Sequence, residues 1–580
     1  MPWQYGGPEV EGECGVVDDR AQDGNAAIHY WPQDFSTDSG KPMGRHAAGE
    51  GFLTGFVRHA RAEALYCHAI SQNHAESFFC QVEVADGPKR PVHWVPMGGA
   101  EGLAAVGCLF TPGPNLRNFA FMRRAFDQRG FSLCGIIHTI ASAQAMDALA
   151  SLLVAPIQPW DALICTSNAG RAAVERQLQA VGDYLAERTG GRPPALPYLP
   201  TIPLGVDSAA FTRDPRHRAA WRARLGIGEG DVAALFVGRL SAHAKANPDP
   251  MYLALERAAR RSGRKLHLIQ AGWFYNAAIE KAFRAGAAAF APSVVTHFVT
   301  PLEGAAHREI WSAADFFVSL SDNIQETFGL TPVEAMAAGL PAVVSDWNGY
   351  RDTVRDGIDG FRIPTIAASP GTGGDLALRH ALELDRYDLY IGQASQFVAI
   401  DVEACADAFL RLIEDAELRA RMGESGRRRA REMFDWATIV PAYQALWGEL
   451  AERRRASGVE IAPPRADAPA DPWRPDPFLH FAGYASRAIA PDMSVRIAPD
   501  AAAALAAAYA SPVNSYALKM LPTPAEAEEL CRLLAEAPAW RAADLILRMP
   551  AARHPFLFRG LAWLAKYGVV SLHEAHEAER

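Results

Sequence analysis

From about residue 25 to residue 205, short apolar runs bounded by glycine, proline and polar residues alternate with longer stretches of helical period. Ala26-Ala27-Ile28-His29-Tyr30, Val92-His93-Trp94-Val95-Pro96, Phe131-Ser132-Leu133-Cys134-Gly135-Ile136-Ile137 and Ala162-Leu163-Ile164-Cys165-Thr166 read as strands. Asn118 to Gln128 and Asn168 to Val181 read as helices between them. After a proline-rich connector at 190–205 the pattern restarts, with strand-like runs at Val232–Gly238, Leu266–Gly272, Val294–Phe298, Phe316–Ser319 and Ala342–Ser345. Aliphatic runs of this length without polar alternation suit strands covered on both faces, and their alternation with helices predicts parallel sheets wrapped by helices. The expected class is α/β, with two Rossmann-like doubly wound domains in tandem. Ligands of such sheets bind beyond the carboxyl ends of the strands, so the cleft between the two domains is the expected site.

Residues 402–455 are helical in period and end in the amphipathic FDWATIVPAYQALWGEL. Residues 456–476 are rich in Pro, Ala and Asp and read as a linker. The expected division is 1–205 for the first domain, 206–430 for the second, 431–455 for a helix crossing back to the first, 456–476 for the linker and 477–580 for an accessory helical domain. A chain of 580 residues is too long for one core. In the accessory domain, helical stretches at 524–537, 539–548 and 555–568 are followed by Gly568 and a short strand-like run. That order is similar to a winged-helix module. Trp540, Trp563 and Tyr567 suit either its core or a contact surface.

Composition narrows the partners. A formal net charge of −9 argues against nucleic acid as the main partner. From Lys519 to the end, eight basic residues are matched by eight acidic ones, which leaves no basic face for phosphates. Protein binding or self-association is the expectation for the accessory domain. The eight cysteines are scattered with no C-x-x-C pair, which fits reduced thiols and a cytoplasmic location. The first residues lack a basic-then-apolar leader, and no run of eighteen apolar residues is present. Membrane contact would therefore be peripheral. Asn115–Phe131 interleaves four arginines with four phenylalanines; it suits an anionic membrane surface or an ordinary helix with solvated arginines.

The chemistry concentrates in Ser321–Gly360, where Glu326 and Glu334 flank Phe328-Gly329-Leu330 and an alanine-rich helix follows Pro332. Proline suits the first turn of a helix, whose free N–H groups can hold a phosphate. Gly329 allows close backbone approach. Glu326 in the loop and Glu334 on the helix can each accept from hydroxyls. The plainer account is an exposed Glu326 and a Glu334 that only complements the helix dipole. Arg239 and Lys245 follow the strand Val232–Val237 and suit a diphosphate; the plainer account is two solvated cations.

Residues 232–365 resemble the retaining glycosyltransferases of family four, which have the two-domain GT-B fold. The resemblance rests on the glutamate pair with F-G-L between, E-A-M-A-A-G-L-P-A-V-V-S after it, the upstream G-R-L and lysine, P-L-G-V-D at 203–207 and the trailing D-G-I-D-G-F. It extends over roughly residues 25–450. It implies that Arg239 and Lys245 hold the diphosphate of a nucleotide-sugar, that Glu326 faces the transferred sugar and Glu334 the ribose, and that the amides of Phe328, Gly329 and Leu330 support phosphate and sugar. Lys245 lies one residue farther from Arg239 than the family spacing, which puts its role in doubt. The segment Gly44–Phe52 stands where the family has a glycine-rich loop, so Gly49 and Gly51 become candidate donor contacts, with His46 and Glu50 beside them. His138 at the end of a strand matches a family histidine near the sugar; a satisfied near-core histidine is the alternative.

The resemblance further implies retention of anomeric configuration and, with no Asp-x-Asp in the chain, turnover without metal or cofactor. The co-substrate would be a nucleotide-diphosphate sugar, with UDP the first expectation. The acceptor (glycan, lipid, peptide or small molecule) stays open. The competing reading is a GT-B scaffold or regulatory protein acting through its C-terminal domain.

Overall fold

The first sheet has six parallel strands in the order β3-β2-β1-β4-β5-β6: β1 Ala27–His29, β2 Leu65–Ala69, β3 Val92–Pro96, β4 Cys108–Phe110, β5 Ser132–Ile136 and β6 Ala162–Ile164. The second is also parallel, in the order β12-β11-β10-β7-β8-β9, with β7 Val232–Leu240, β8 Leu266–Phe274, β9 Val295–Val299, β10 Phe316–Ser319, β11 Ala342–Ser345 and β12 Gly360–Ile363. In each sheet the strand order reverses beside the first strand, as in a doubly wound fold. The computed structural model describes residues 24–37, 44–300, 305–461 and 469–574. Cys14 lies outside them; the seven described cysteines are free thiols, five of them buried. Among the described residues no helix is long and apolar enough to cross a membrane.

The two sheets and their helices make up one compact unit that ends at Asp471. The helix Trp436–Ala456 packs on helix Gly44–His59 and on strand β5 of the first sheet. Phe52 and Phe110 meet Tyr443, and Phe56 meets Trp447. Ring edges set against ring faces favour these pairs beyond their buried area.

The helix Arg117–Phe126 departs from its membrane-facing reading. Phe119, Phe121 and Phe131 are buried in the first domain. Arg123 is fully buried and forks onto both oxygens of Asp161 at 2.6 Å, while Arg117 pairs with Asp471 at 2.8 Å. Arg129 donates to the carbonyls of Arg454, Ser457 and Val459. Arg117, Arg123, Phe119 and Phe121 of this helix are turned to the protein interior, where carboxylates far away in sequence meet the two arginines, while Phe126 stays exposed.

Residues 472 onward form the second unit. An antiparallel sheet of β15 Ser494–Ile497, β16 Trp540–Arg541 and β17 Val570–His573 has β15 at its centre. Helices Pro524–Leu534, Ala542–Leu547 and His554–Lys566 cover it around Val495, Leu530, Leu545, Leu561 and Leu564. Trp563 belongs to this core and Trp540 and Tyr567 pack against it. The first helix carries a capping box between Thr523 and Glu526, and Arg553 closes on Glu526 at 2.8 Å.

Candidate active site

The site is assembled where loops at the carboxyl ends of both sheets meet. After β10 the chain runs through Ser321–Thr327 and turns into helix Leu330–Ala337. The turn depends on Gly329, which caps the helix at φ +93°. A Cβ at that position would meet the Tyr350 ring at 2.1 Å, so only glycine fits both the backbone and the space. Phe328 is buried against Phe434. Its side chain anchors the loop.

Glu326 and Lys245 are joined. Lys245 Nζ lies 2.9 Å from Glu326 Oε2, and the Phe328 amide faces Glu326 Oε1 at 3.5 Å. Burial pushes the Glu326 carboxyl up, but Lys245 and the loop amides outweigh it and hold the group below the ordinary glutamate range. The extra residue between Arg239 and Lys245 therefore does not carry the lysine away. Arg239 lies inside β7, next to its last residue, paired with Trp273 of β8 and with its guanidinium 5.9 Å from that ring's centre. Burial lowers its pKa, while Asp388, Tyr387, Tyr275 and Glu326 pull it back up.

Glu334 stands on the second turn of its helix, one side-chain oxygen buried without a hydrogen-bond partner among the described residues. Burial pushes its pKa up to about 7, with Lys245 opposing. Asp322 behaves alike: it is 2% exposed, accepts from the Asn247 amide at 3.2 Å, and burial raises it to about 7. A buried carboxyl with an unmet oxygen is a group prepared for a hydroxyl or amide partner.

From the first domain, His138 follows β5. Its carbonyl accepts from Thr327 Oγ1 at 2.9 Å, and Ser167 Oγ donates to the Thr327 carbonyl at 2.6 Å. These bonds bring His138 beside the Glu326 loop. Burial, then Arg45, pushes the imidazole down to about 4, so it is neutral at pH 7. A cleft of about 580 Å³ opens beside this junction, lined by Ile140, Met146 and Ala173 of the first domain and by Ile324, Glu326 and Trp347 of the second.

Gly49 and Gly51 are placed differently from the sequence expectation. Gly44–His59 is helix, not a loop. A Cβ on Gly49 would strike the Asp34 carbonyl at 2.0 Å, and one on Gly51 would press on Trp436 at 3.3 Å. Both glycines serve close packing of the helix. His46 is buried and takes a contact from Arg45 Nε at 3.3 Å, while Glu50 is exposed. Sequence reasoning also missed Asp322, Gln325, His243, Tyr275, Tyr387 and Asp388. The first two carry a signal, as polar residues in the same loop as Glu326; Tyr387 and Asp388 lie some sixty residues on and carry none.

Residues 217–368 match the family described as Glycosyl transferases group 1. The matched segment spans Arg239, Lys245, Glu326 and Glu334 and runs past the end of β12. Among curated proteins, a D-inositol 3-phosphate glycosyltransferase of Geodermatophilus obscurus is 36% identical over 170 residues, 28% of this chain and 36% of that protein. One from Kineococcus radiotolerans is 27% identical over 404 residues, 65% of this chain and 84% of that protein. The chain spans between about a third and three fifths of the length of the first relatives it matches. Among solved structures, Anabaena Alr3699/HepE in complex with UDP aligns over 70% of this chain and 96% of its own at 17% identity and a TM-score of 0.45. Residues 472–574 lie outside the matched segment.

Proposed function

We propose that the chain is a retaining glycosyltransferase moving a hexose-type sugar from a nucleotide-diphosphate sugar, a UDP-sugar first, to an acceptor entering the interdomain cleft. The observation that carries this reading is the Lys245–Glu326 pair beside the Phe328 amide, with Glu326 on the wall of that cleft. When the anomeric C–O bond breaks, negative charge grows on the leaving diphosphate. In this reading Arg239, Lys245 and the helix-end amides neutralise that charge as it develops, which lowers the barrier more than it favours the ground state.

In this reading Glu326 accepts from hydroxyls of the transferred sugar and Glu334 from the ribose. Neutral His138 offers one ring N–H and one lone pair to the sugar from the opposite wall. The acceptor hydroxyl attacks from the face the diphosphate leaves. Its oxygen bonds to the anomeric carbon, and its proton passes to a phosphate oxygen of the departing nucleotide. Positive charge comes from side chains and amides, so no metal enters. The curated relatives are named for D-inositol 3-phosphate, which makes inositol phosphates the first acceptors to try.

The test is incubation of the full chain with UDP-glucose and related donors and an acceptor panel, with the anomeric configuration of the product read by NMR. Retention and indifference to EDTA support the reading. An inverted product, or activity lost to chelation and restored by manganese, overturns the corresponding part.

A further inference from the structure

Residues 365–400 leave the second sheet after β12 through β13 Thr365–Ala367 and return through β14 Val398–Ile400. The mechanism above uses none of them. Yet the helix Tyr387–Ser395 inside this excursion packs on the loop that carries Lys245. Ile391 is buried in one apolar cluster with Ala244 and with Ala141 of the first domain. Gly392 lies so close that an added Cβ would stand 2.8 Å from His243 Cβ. Asp388 sits 3.8 Å from His243 Nε2 and accepts from Tyr275 at 2.7 Å.

The Lys245 loop is also gripped from below. Asn323, Gln325 and Ser321 donate in turn to the carbonyls of His243, Ala244 and Lys245, and Asp322 accepts from the Asn247 amide. Gln325 is the joint between the two grips: its amide holds the Ala244 carbonyl while its oxygen accepts from Tyr387 Oη at 3.1 Å. The same hydroxyl is 3.5 Å from Thr139 Oγ1, one residue beyond His138 on the other sheet. A lysine is a mobile point charge with about 2 kcal/mol of rotamer entropy to lose. Where its backbone is held on both sides, less of that freedom remains to be lost when it meets an anion.

We infer that Tyr387 and Gln325 are positioning residues for Lys245, and that the 365–400 excursion is a clamp holding the cation loop against both domains. The inference rests on the reading of Lys245 as a diphosphate ligand. It also explains how the loop tolerates its additional residue: the clamp, rather than the spacing from Arg239, places the amine.

Tyr387→Phe removes one hydroxyl and both of its contacts while keeping the ring. Two measurements on the full chain test the inference. The first is the rate at which acetic anhydride modifies Lys245, read by mass spectrometry against exposed Lys281. Losing the clamp should speed modification at Lys245 by about threefold or more and leave Lys281 unchanged, since a hydrogen bond of about 1 kcal/mol is worth about fivefold. The second is calorimetric titration with UDP and with GDP. Tyr387→Phe should weaken binding about three- to tenfold in the wild-type background and less than about twofold in a Lys245→Met background, the signature of coupled residues. Gly392→Val, which wedges the helix off His243, should reproduce both patterns. Unchanged Lys245 modification, or effects of Tyr387→Phe and Lys245→Met that simply add, overturns the inference. If UDP binds the wild type and neither readout responds, the clamp falls and the donor reading stands. If Lys245 modification responds but neither nucleotide binds, the clamp stands and the donor reading falls.

Discussion

Lys245 Nζ and Glu326 Oε2 are 2.9 Å apart, with the carboxylate largely buried and the amine about one-third exposed. The lysine keeps the carboxylate ionised against burial. An incoming diphosphate would share Lys245 with Glu326.

Separating the pair should therefore separate two functions. Lys245→Met is expected to raise the Glu326 pKa and to weaken nucleoside diphosphate binding about tenfold or more, as loss of a charge-assisted contact does. Glu326→Gln should leave nucleotide binding within about threefold while turnover falls by about a hundredfold or more, as for a group whose contact strengthens in the transition state. Calorimetry and initial rates with one donor distinguish these outcomes. Equal loss of binding in both variants would sink the division of labour.

Gly329→Ala places a methyl group on the Tyr350 ring at a left-handed φ. The expected cost is about 1–3 kcal/mol of stability from backbone strain and overpacking, together with loss of nucleotide binding as the turn rearranges. Denaturant unfolding and UDP titration check the two parts. A variant as stable as the wild type would show that the turn relaxes freely.

Glu334 and Asp322 give stability a pH dependence of known sign. Their folded pKa values lie near 7 while the unfolded chain titrates near 4. Between about pH 4 and 7 the folded state keeps protons that the unfolded state has released, so these groups make stability fall as pH rises through that window. Glu334→Gln should shrink the stability difference between pH 5 and pH 8 by on the order of 2 kcal/mol. Melting curves across that range check it; an unchanged slope would mean that Glu334 is not desolvated as described.

Arg123→Leu leaves Asp161 buried without its guanidinium. Breaking one side of a buried pair costs about 3–5 kcal/mol, and the effect should appear as a lower denaturant midpoint. Vesicle binding, if any, should be unaffected at matched folded fraction, because Arg123 is fully buried.

Much of this architecture was legible in the chain because its signals are local. Val232–Val237, Leu266–Ala271 and Ala342–Ser345 are uninterrupted apolar runs, and the Glu326–Glu334 segment carries its chemistry within nine residues. β2 and β4 escaped for different reasons: Leu65–Ala69 is broken by Tyr66 and His68, and Cys108–Phe110 is only three residues long. The glycines of the first helix misled because their partners, Asp34 and Trp436, are known only after folding. The arginine-phenylalanine helix was ambiguous for the same reason, since Asp161 decides it. Counting residues puts Lys245 in doubt, whereas the side chains of Asp322, Asn323 and Gln325 fix its loop through bonds to the loop backbone that spacing does not reveal.

The helix Trp436–Ala456 completes the core of a sheet whose last strand ends at Ile164. On the ribosome, Phe52, Phe56 and Phe110 must therefore wait until almost three hundred further residues are made before Tyr443 and Trp447 can cover them. At about 5–20 residues per second this interval is on the order of tens of seconds. During it the nascent amino-terminal half exposes an aromatic groove, which makes it a natural client for chaperones and an unstable product when translation stops early.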